Sequence, residues 1–279
     1  MPADQRMAII GCGAMGCDVA AIFLVRGWTV EATTRDPATW DRRRDRVRQS
    51  LAQLGVAPAH DARFLLRRDA RDVDWSGIRF GLESVPEIFS LKRAVFAELD
   101  TVVPAHIPLA TNTSGLRITE IAAGCRTAGR MAGLHFFLPA HIVPAVEVVR
   151  GETTDPAVTD ALFGIMAEVG RVPIRVARDV PGFLANRIQH ALMREAFAVI
   201  DEGLGTPEDV DAAVRFSFGF RYVAAGPILQ KELAGLDTQL AAARAIYPSL
   251  RDGSEPSRVL QDLVAHGHCG TKSGRGFWT

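Results

Sequence analysis

Residues Met7 to Asp36, MAIIGCGAMGCDVAAIFLVRGWTVEATTRD, decide the fold. The run Met7-Ala8-Ile9-Ile10 has the unbroken apolar character of a parallel strand buried on both faces. Gly11-Cys12-Gly13-Ala14-Met15-Gly16 follows at once and fits G-x-G-x-x-G. Val19, Ala20, Phe23 and Leu24 then recur at helical spacing, and Gly27 stands where a helix would end. Thr29 to Thr33 reads as a second strand. Alone, a glycine-rich turn says little, and a purely structural strand–turn–helix is the alternative. Strand, loop, helix and second strand in this order make it a dinucleotide fingerprint. Gly11 permits the tight turn, Gly13 the close approach of a pyrophosphate, and Gly16 the packing of helix against strand. The free N–H groups of the helix start, at Ala14, Met15 and Gly16, then face the phosphates.

Composition narrows the rest. At 279 residues the chain can bury a sizeable core and divide into two domains. Hydrophobic residues make up 48% and charged residues 23%, as in ordinary soluble proteins. Lys plus Arg and Asp plus Glu both total 32, so no net field draws the chain to nucleic acid or a membrane. The four cysteines, Cys12, Cys17, Cys125 and Cys269, contain no C-x-x-C pair. That argues against a disulfide framework and for a reducing, cytoplasmic setting. No signal pattern or bilayer-length apolar run is present. His266-Gly-His268-Cys269 sits in a glycine-rich tail without companion ligands, so no metal site is expected.

Downstream, Pro37 to about Leu54 reads as a charged helix with Pro at its start. Short strands are expected at Arg63–Arg67, Phe80–Glu83, Ile107–Ala110, Arg130–Phe137, Val143–Val149 and Val172–Val176. Helices are expected at Pro86–Val102 and Pro156–Val169. This alternation predicts a Rossmann-type, doubly wound α/β fold with a mainly parallel sheet over residues 1–178. From Asp179 the pattern becomes helical: Phe183–Asp201, Pro207–Arg215, Ile228–Tyr247 and Ser257–Ala265. Prolines sit near helix starts and glycines between helices. Residues 179–279 therefore read as an all-α domain.

The order of motifs resembles the 3-hydroxyacyl-CoA dehydrogenase superfamily along nearly the whole chain. The matching pieces are GCGAMG, ESVPE with Lys92, ATNTSGL, GLHFFLPAH, AVEVV, DVPGFLANR, AAGPILQKELAGLD and the terminal KSGRGFW. That superfamily pairs a dinucleotide-binding domain with a helical domain for substrate and homodimerisation. It also holds enzymes for free hydroxy acids, such as L-gulonate and carnitine dehydrogenases. The resemblance implies that His135 is the catalytic acid/base and Glu147 its partner. Oxidising a secondary alcohol requires loss of the hydroxyl proton as hydride leaves. An imidazole, with an ordinary pKa of ~6.5, can take that proton and return it in reverse. A carboxylate on the other ring nitrogen fixes the tautomer, and a lone carboxylate inside the apolar run Pro144–Val149 would be costly unpaired. Ser114 matches the serine that hydrogen-bonds the reacting oxygen, with a turn hydroxyl as the plainer reading. Asn186 matches an asparagine near substrate and histidine. Glu87 and Lys92 match positions lining the nicotinamide half, although Lys92 is equally readable as an exposed helix residue.

Departures from the family point to the substrate. Leu138 stands where acyl-CoA enzymes usually have Asn, and Gly115 where they more often have a second Ser. The segment between the second strand and ESVPE is short relative to the CoA enzymes, whose helical tail there helps hold the CoA nucleotide. Arg221 precedes Tyr222, as in the free-acid branch, and a guanidinium can hold a carboxylate bidentately. A structural ion pair is the other reading of Arg221. These features predict a small 3-hydroxy or 3-oxo carboxylic acid as substrate. A short-chain 3-hydroxyacyl-CoA dehydrogenase is the alternative in the same class. A non-catalytic, crystallin-like nucleotide binder is the alternative of another class.

NAD enzymes usually carry Asp or Glu at the end of the second strand to accept the ribose hydroxyls. Here that place is Thr34, followed by Arg35. The missing carboxylate removes repulsion toward a 2′-phosphate, and Arg35 can bond it, with Arg42 or Arg43 as a second donor. NADP(H) is therefore expected over NAD(H). The competing reading leaves Arg35 exposed and lets Asp36 reach the ribose.

Overall fold

In the computed structural model, which describes residues 5–56 and 58–278, β1 (Arg6–Ile10) lies inside an eight-stranded sheet. The other strands are β2 (Thr29–Thr33), β3 (Phe64–Arg67), β4 (Ile78–Glu83), β5 (Leu109–Thr111), β6 (Met131–Phe136), β7 (Ala145–Val149) and β8 (Val172–Val176). Their spatial order is β3-β2-β1-β4-β5-β6-β7-β8. Every pairing is parallel except β6 with β7, which is antiparallel. The order reverses between β1 and β4, and such a switch point opens a crevice at the carboxyl ends of the strands.

Alternation along β1 explains its unbroken apolar run. Met7 and Ile9 point into one core with α1 (Ala14–Val25) and α2 (Trp40–Gln53), while Ala8 and Ile10 point into a second. That second core holds Val95, Phe96 and Leu99 of α3 (Phe89–Val102) and Ile121 of α4 (Ile118–Ile121). Leu162, Ile165 and Met166 of α5 (Pro156–Glu168) complete the first. With both faces covered, no strand position needs to be polar. α2 is otherwise strongly charged, yet Val47 and Leu51 give it a buried stripe. Arg46 also clamps the buried Asp18 of α1 through both carboxylate oxygens, at 2.9 and 2.8 Å.

The chain divides into two compact units after Arg187. α6 (Ala185–Asp201) runs across this division, nine residues beyond the boundary expected from the change in sequence pattern. The second unit is helical: α7 (Pro207–Ala213), α8 (Gly219–Tyr222), α9 (Pro227–Ala234), α10 (Leu236–Ile246) and α11 (Arg258–Ala265). A π-helical turn, Val214–Phe218, joins α7 to α8. The single helix expected over Ile228–Tyr247 is broken at Gly235, whose φ of +100° lies outside helical space. α3 likewise starts later than expected, at Phe89, leaving Pro86 and Glu87 outside the helix. Among the described residues no helix is long and apolar enough to cross a membrane.

Candidate active site

The site begins at the switch point. Gly11 has φ +98°, and a Cβ there would meet the Ser84 carbonyl at 2.8 Å. A Cβ on Gly16 would lie 2.6 Å from the Gly11 oxygen, so the first turn of α1 can close onto the loop only with glycine. Gly13, by contrast, has nothing within 4 Å of a built Cβ. Its face is open, as a backbone cradle for a pyrophosphate requires, and the N–H groups of Ala14 and Met15 begin α1 beside it. All of these residues except Gly16 line a cavity of about 900 Å³ that continues to His135 and Asn186. Its size and its backbone cradle fit a dinucleotide.

At the β2 end, Thr34 and Arg35 line the same cavity, joined by Arg43 and Arg68. The Arg43 Nε is buried without a hydrogen-bond partner. Nearby acids are otherwise engaged. Glu31 is fully buried between Arg6 and Arg67, and Asp36 accepts from Ala38 N at 3.0 Å as the cap of a short turn. Asp69 caps a turn of its own, and Glu98 pairs with Arg71 at 2.8 Å. Of the two arginines expected on α2, Arg43 rather than Arg42 faces the cavity. Arg68 was not foreseen, because only the β2–β3 register brings it beside Thr34.

At the other end, the antiparallel register places His135 of β6 directly opposite Glu147 of β7. The His135 Nδ1 lies 2.7 Å from Glu147 Oε2. Glu147 Oε1 accepts the Leu184 and Ala185 N–H groups, at 3.0 and 2.8 Å, and so caps α6. Burial pushes the Glu147 carboxyl up. The bond to His135 and the N–H groups of Ala185 and Leu184 outweigh it, and the pKa falls below the ordinary glutamate value. Nδ1 is thus taken, which leaves Nε2 as the nitrogen free to exchange a proton. The same cap sets Asn186 on the first turn of α6, where its Nδ2 donates to the Ser114 carbonyl at 3.0 Å. The Ser114 hydroxyl and amide both contact Glu87 Oε1, at 3.1 and 2.9 Å. Ser114, His135, Asn186 and Glu87 all line the cavity.

Lys92 is not an exposed helix residue. It is 1% exposed, and its Nζ sits 2.8 and 3.0 Å from the two oxygens of the buried Glu83 and 3.3 Å from Glu87. It does not line the cavity, so its link to the site passes through Glu87. Thr111 also binds Glu83, at 2.6 Å. Glu83 ends β4 inside an apolar stretch, and only its neighbours in space reveal the cluster. Asn112 is a second residue that sequence reasoning passed over. Its Oδ1 accepts the Phe136 N–H at 3.0 Å, fixing the strand end next to His135. Leu138 lines the cavity with 68% of its surface exposed. Arg221 belongs to the helical unit, where it is exposed on α8 and makes no side-chain hydrogen bond or ion pair among the described residues. Among those residues no three His, Cys, Asp or Glu side chains form a metal cluster.

Comparison with known proteins agrees with this fold. Residues 6–180 match the NAD binding domain of 3-hydroxyacyl-CoA dehydrogenase, and residues 182–279 match its C-terminal domain. The chain is 31% identical to a 5-formyl-3-hydroxy-2-methylpyridine 4-carboxylate 5-dehydrogenase of Mesorhizobium japonicum, covering 98% of this chain and 90% of the relative. It is 34% identical to an L-carnitine dehydrogenase of Streptomyces griseus, covering 94% and 82%. A solved structure of an NAD+ dependent 5-formyl-3-hydroxy-2-methylpyridine 4-carboxylic acid 5-dehydrogenase superposes with TM-score 0.90 at 30% identity, over 98% of this chain and 90% of that one.

Proposed function

From the premise that the chain belongs to the 3-hydroxyacyl-CoA dehydrogenase family, with an NAD-binding N-terminal domain, we propose the following reaction. The enzyme moves a hydride between a nicotinamide dinucleotide and the 3-hydroxy or 3-oxo group of a small carboxylic acid. The observation that carries this reading is His135 in the wall of the cavity, backed by the buried Glu147 on its Nδ1. The cofactor supplies the hydride acceptor or donor. The protein's own work is proton transfer and orientation. His135 takes the hydroxyl proton on Nε2 while Nδ1–H stays on Glu147, whose charge stabilises the imidazolium. Ser114 holds the reacting oxygen, and Asn186, fixed to the Ser114 carbonyl, borders the same space. Glu87, steadied by Lys92, holds Ser114 in place beside the nicotinamide. A non-catalytic nucleotide binder would need none of these groups together. His135→Ala should lower kcat by about 10²- to 10⁴-fold while dinucleotide binding persists. Unchanged turnover in that variant would end the assignment.

Three features support a free acid over a CoA thioester: Leu138 in the cavity wall, the short segment between β2 and the ESVPE motif, and Arg221, which has no side-chain partner among the described residues. In this reading Arg221 holds the substrate carboxylate, and the helical domain, residues 179–279, serves substrate binding and dimerisation. Cytoplasmic work suits it. The family's description as a 3-hydroxyacyl-CoA dehydrogenase keeps a 3-hydroxybutyryl-CoA activity as the second reading. Comparing kcat/KM for matched free acids and CoA thioesters separates the two. A preference for acetoacetyl-CoA that Arg221→Ala leaves intact would reject the free acid.

For the cofactor, the Thr34 position without a carboxylate and the cluster of Arg35, Arg43 and Arg68 support NADP(H) over NAD(H), although a close structural relative is NAD+ dependent. The unpartnered Nε of Arg43 is a donor waiting for an anion. Arg35→Ala should raise KM for NADPH by roughly tenfold, the loss of one charge-assisted hydrogen bond, and leave KM for NADH nearly unchanged. A wild-type preference for NADH that is insensitive to Arg35→Ala would refute it.

A further inference from the structure

The glycine loop carries a feature that dinucleotide binding does not require. Cys12, between Gly11 and Gly13, and Cys17, on the first turns of α1, bring their Sγ atoms to 3.4 Å. They are 3% and 0% exposed. Neither takes part in the proposed chemistry. The backbone between them is the phosphate cradle itself. Gly13 O accepts the Cys17 N–H at 3.0 Å, and Ala14 and Met15 are among the four residues between the two cysteines.

We propose that Cys12 and Cys17 form a reversible intramolecular disulfide under hydroperoxide, a modification site that distorts the dinucleotide cradle. A disulfide requires the sulfurs at about 2.05 Å, so they have little more than an ångström to close. Adjacent side-chain torsions and the loop can supply that movement, and no distant element must shift. Cys12 lines the dinucleotide cavity, so a small peroxide reaches the pair through the same opening that the cofactor uses. The hydrogen bond from Cys12 and the nearby Arg43 guanidinium, acting against burial, lower the Cys17 thiol below its ordinary value, while that same bond and burial raise the Cys12 thiol. This favours the thiolate that oxidation needs.

The step balances without a cofactor. One sulfur, as thiolate, attacks a peroxide oxygen; the O–O bond breaks, an S–OH bond forms, and hydroxide leaves and takes up the thiol's proton as water. The second sulfur displaces the hydroxyl of the sulfenic acid as a second water, and the S–S bond forms. Two thiols lose two electrons and one hydrogen peroxide is reduced to two waters. Drawing the sulfurs together pulls Gly13 and the start of α1 away from the geometry in which their N–H groups converge on a phosphate. The disulfide therefore weakens dinucleotide binding, and a bound dinucleotide protects the thiols. The consequence rests on the loop being the cofactor cradle; the bond itself does not.

The test treats the reduced full-length protein with hydrogen peroxide, blocks remaining thiols with N-ethylmaleimide, and maps tryptic peptides without reduction. Both cysteines fall in one peptide, Met7–Arg26, which contains neither Cys125 nor Cys269. The expected product is that peptide two hydrogens lighter and unlabelled, restored by dithiothreitol. Saturating NADPH or NADH should suppress it. Fluorescence titration should show cofactor Kd raised by about tenfold or more after oxidation and recovered on reduction. In Cys17→Ser, peroxide should no longer produce the reversible loss. Full labelling of Met7–Arg26 while the exposed Cys269 is oxidised would overturn the proposal, and so would sulfinic acid in place of the S–S bond. A disulfide that forms equally with cofactor bound would overturn the link to the cradle. A protein that binds no dinucleotide in either state would instead defeat the cofactor reading, because peptide mapping reports the bond independently.

Discussion

A carboxylate with no exposed surface in the middle of a β-strand would cost several kcal/mol if it stood alone. Glu147 is tolerated because every neighbour repays it: His135 on one oxygen, two N–H groups of the α6 start on the other. In the proposed reaction the same residue serves both catalysis and stability, and Glu147→Gln separates the two. The variant should lose about 10²-fold or more in kcat, since an amide cannot stabilise the imidazolium. Its stability defect should depend on pH in a definite direction. A carboxyl with a depressed folded-state pKa contributes its stabilisation above the unfolded value, here 4.5, and loses it as pH falls through the lower folded value. The gap between wild type and Glu147→Gln in urea midpoints should thus be constant at neutral pH and shrink on acidification below about 4.5. A gap independent of pH would mean that Glu147 is not the anion holding this corner together.

At the scale of elements, the two ends of the site are built by different devices. The cofactor end is a strand–loop–helix whose glycines have unequal duties. Gly16→Ala would drive a Cβ to within 2.6 Å of the Gly11 oxygen and must push α1 off β1. Gly13→Ala meets only open space. The expected result is a clear fall in melting temperature for Gly16→Ala. Gly13→Ala should keep stability within about 0.5 kcal/mol and lose dinucleotide affinity, because the methyl occupies the phosphate's approach. Equal effects of the two substitutions on stability would contradict this division. The catalytic end depends on the β6–β7 hairpin. Residues twelve apart in sequence meet because antiparallel register sets them opposite each other, with Asn112 of the preceding strand end fixing the position of Phe136.

At the scale of the whole molecule, the helical unit leaves much apolar surface uncovered. Val223 is 92% exposed and Ile228 80%, with Phe216, Phe220 and Leu233 about as open. Large apolar side chains left open in such number are what an association surface presents. The proposed homodimer predicts twice the chain mass by light scattering at micromolar concentration, and dissociation in Ile228→Asp or Val223→Asp. A wild-type monomer would remove dimerisation from the functional account.

How much of this was legible from residues follows from how local each signal is. The 7–36 stretch determined its own structure: apolar run, glycine turn and helical period are all short-range, and β1, α1 and β2 fall where they were expected. The alternation of strands and helices determined the sheet, and the family motifs supplied His135, Ser114 and Asn186, which the fold brings to one cavity, and Glu147, buried behind His135. What the sequence could not reveal was decided by pairing across space. No local pattern marks the antiparallel turn of β7, the break at Gly235, the burial of Lys92 against Glu83, or the meeting of Arg68 with Arg35 and Arg43. Each of these depends on strand register and helix packing. A buried charge is stable only beside its partner, and that partner lies far along the chain.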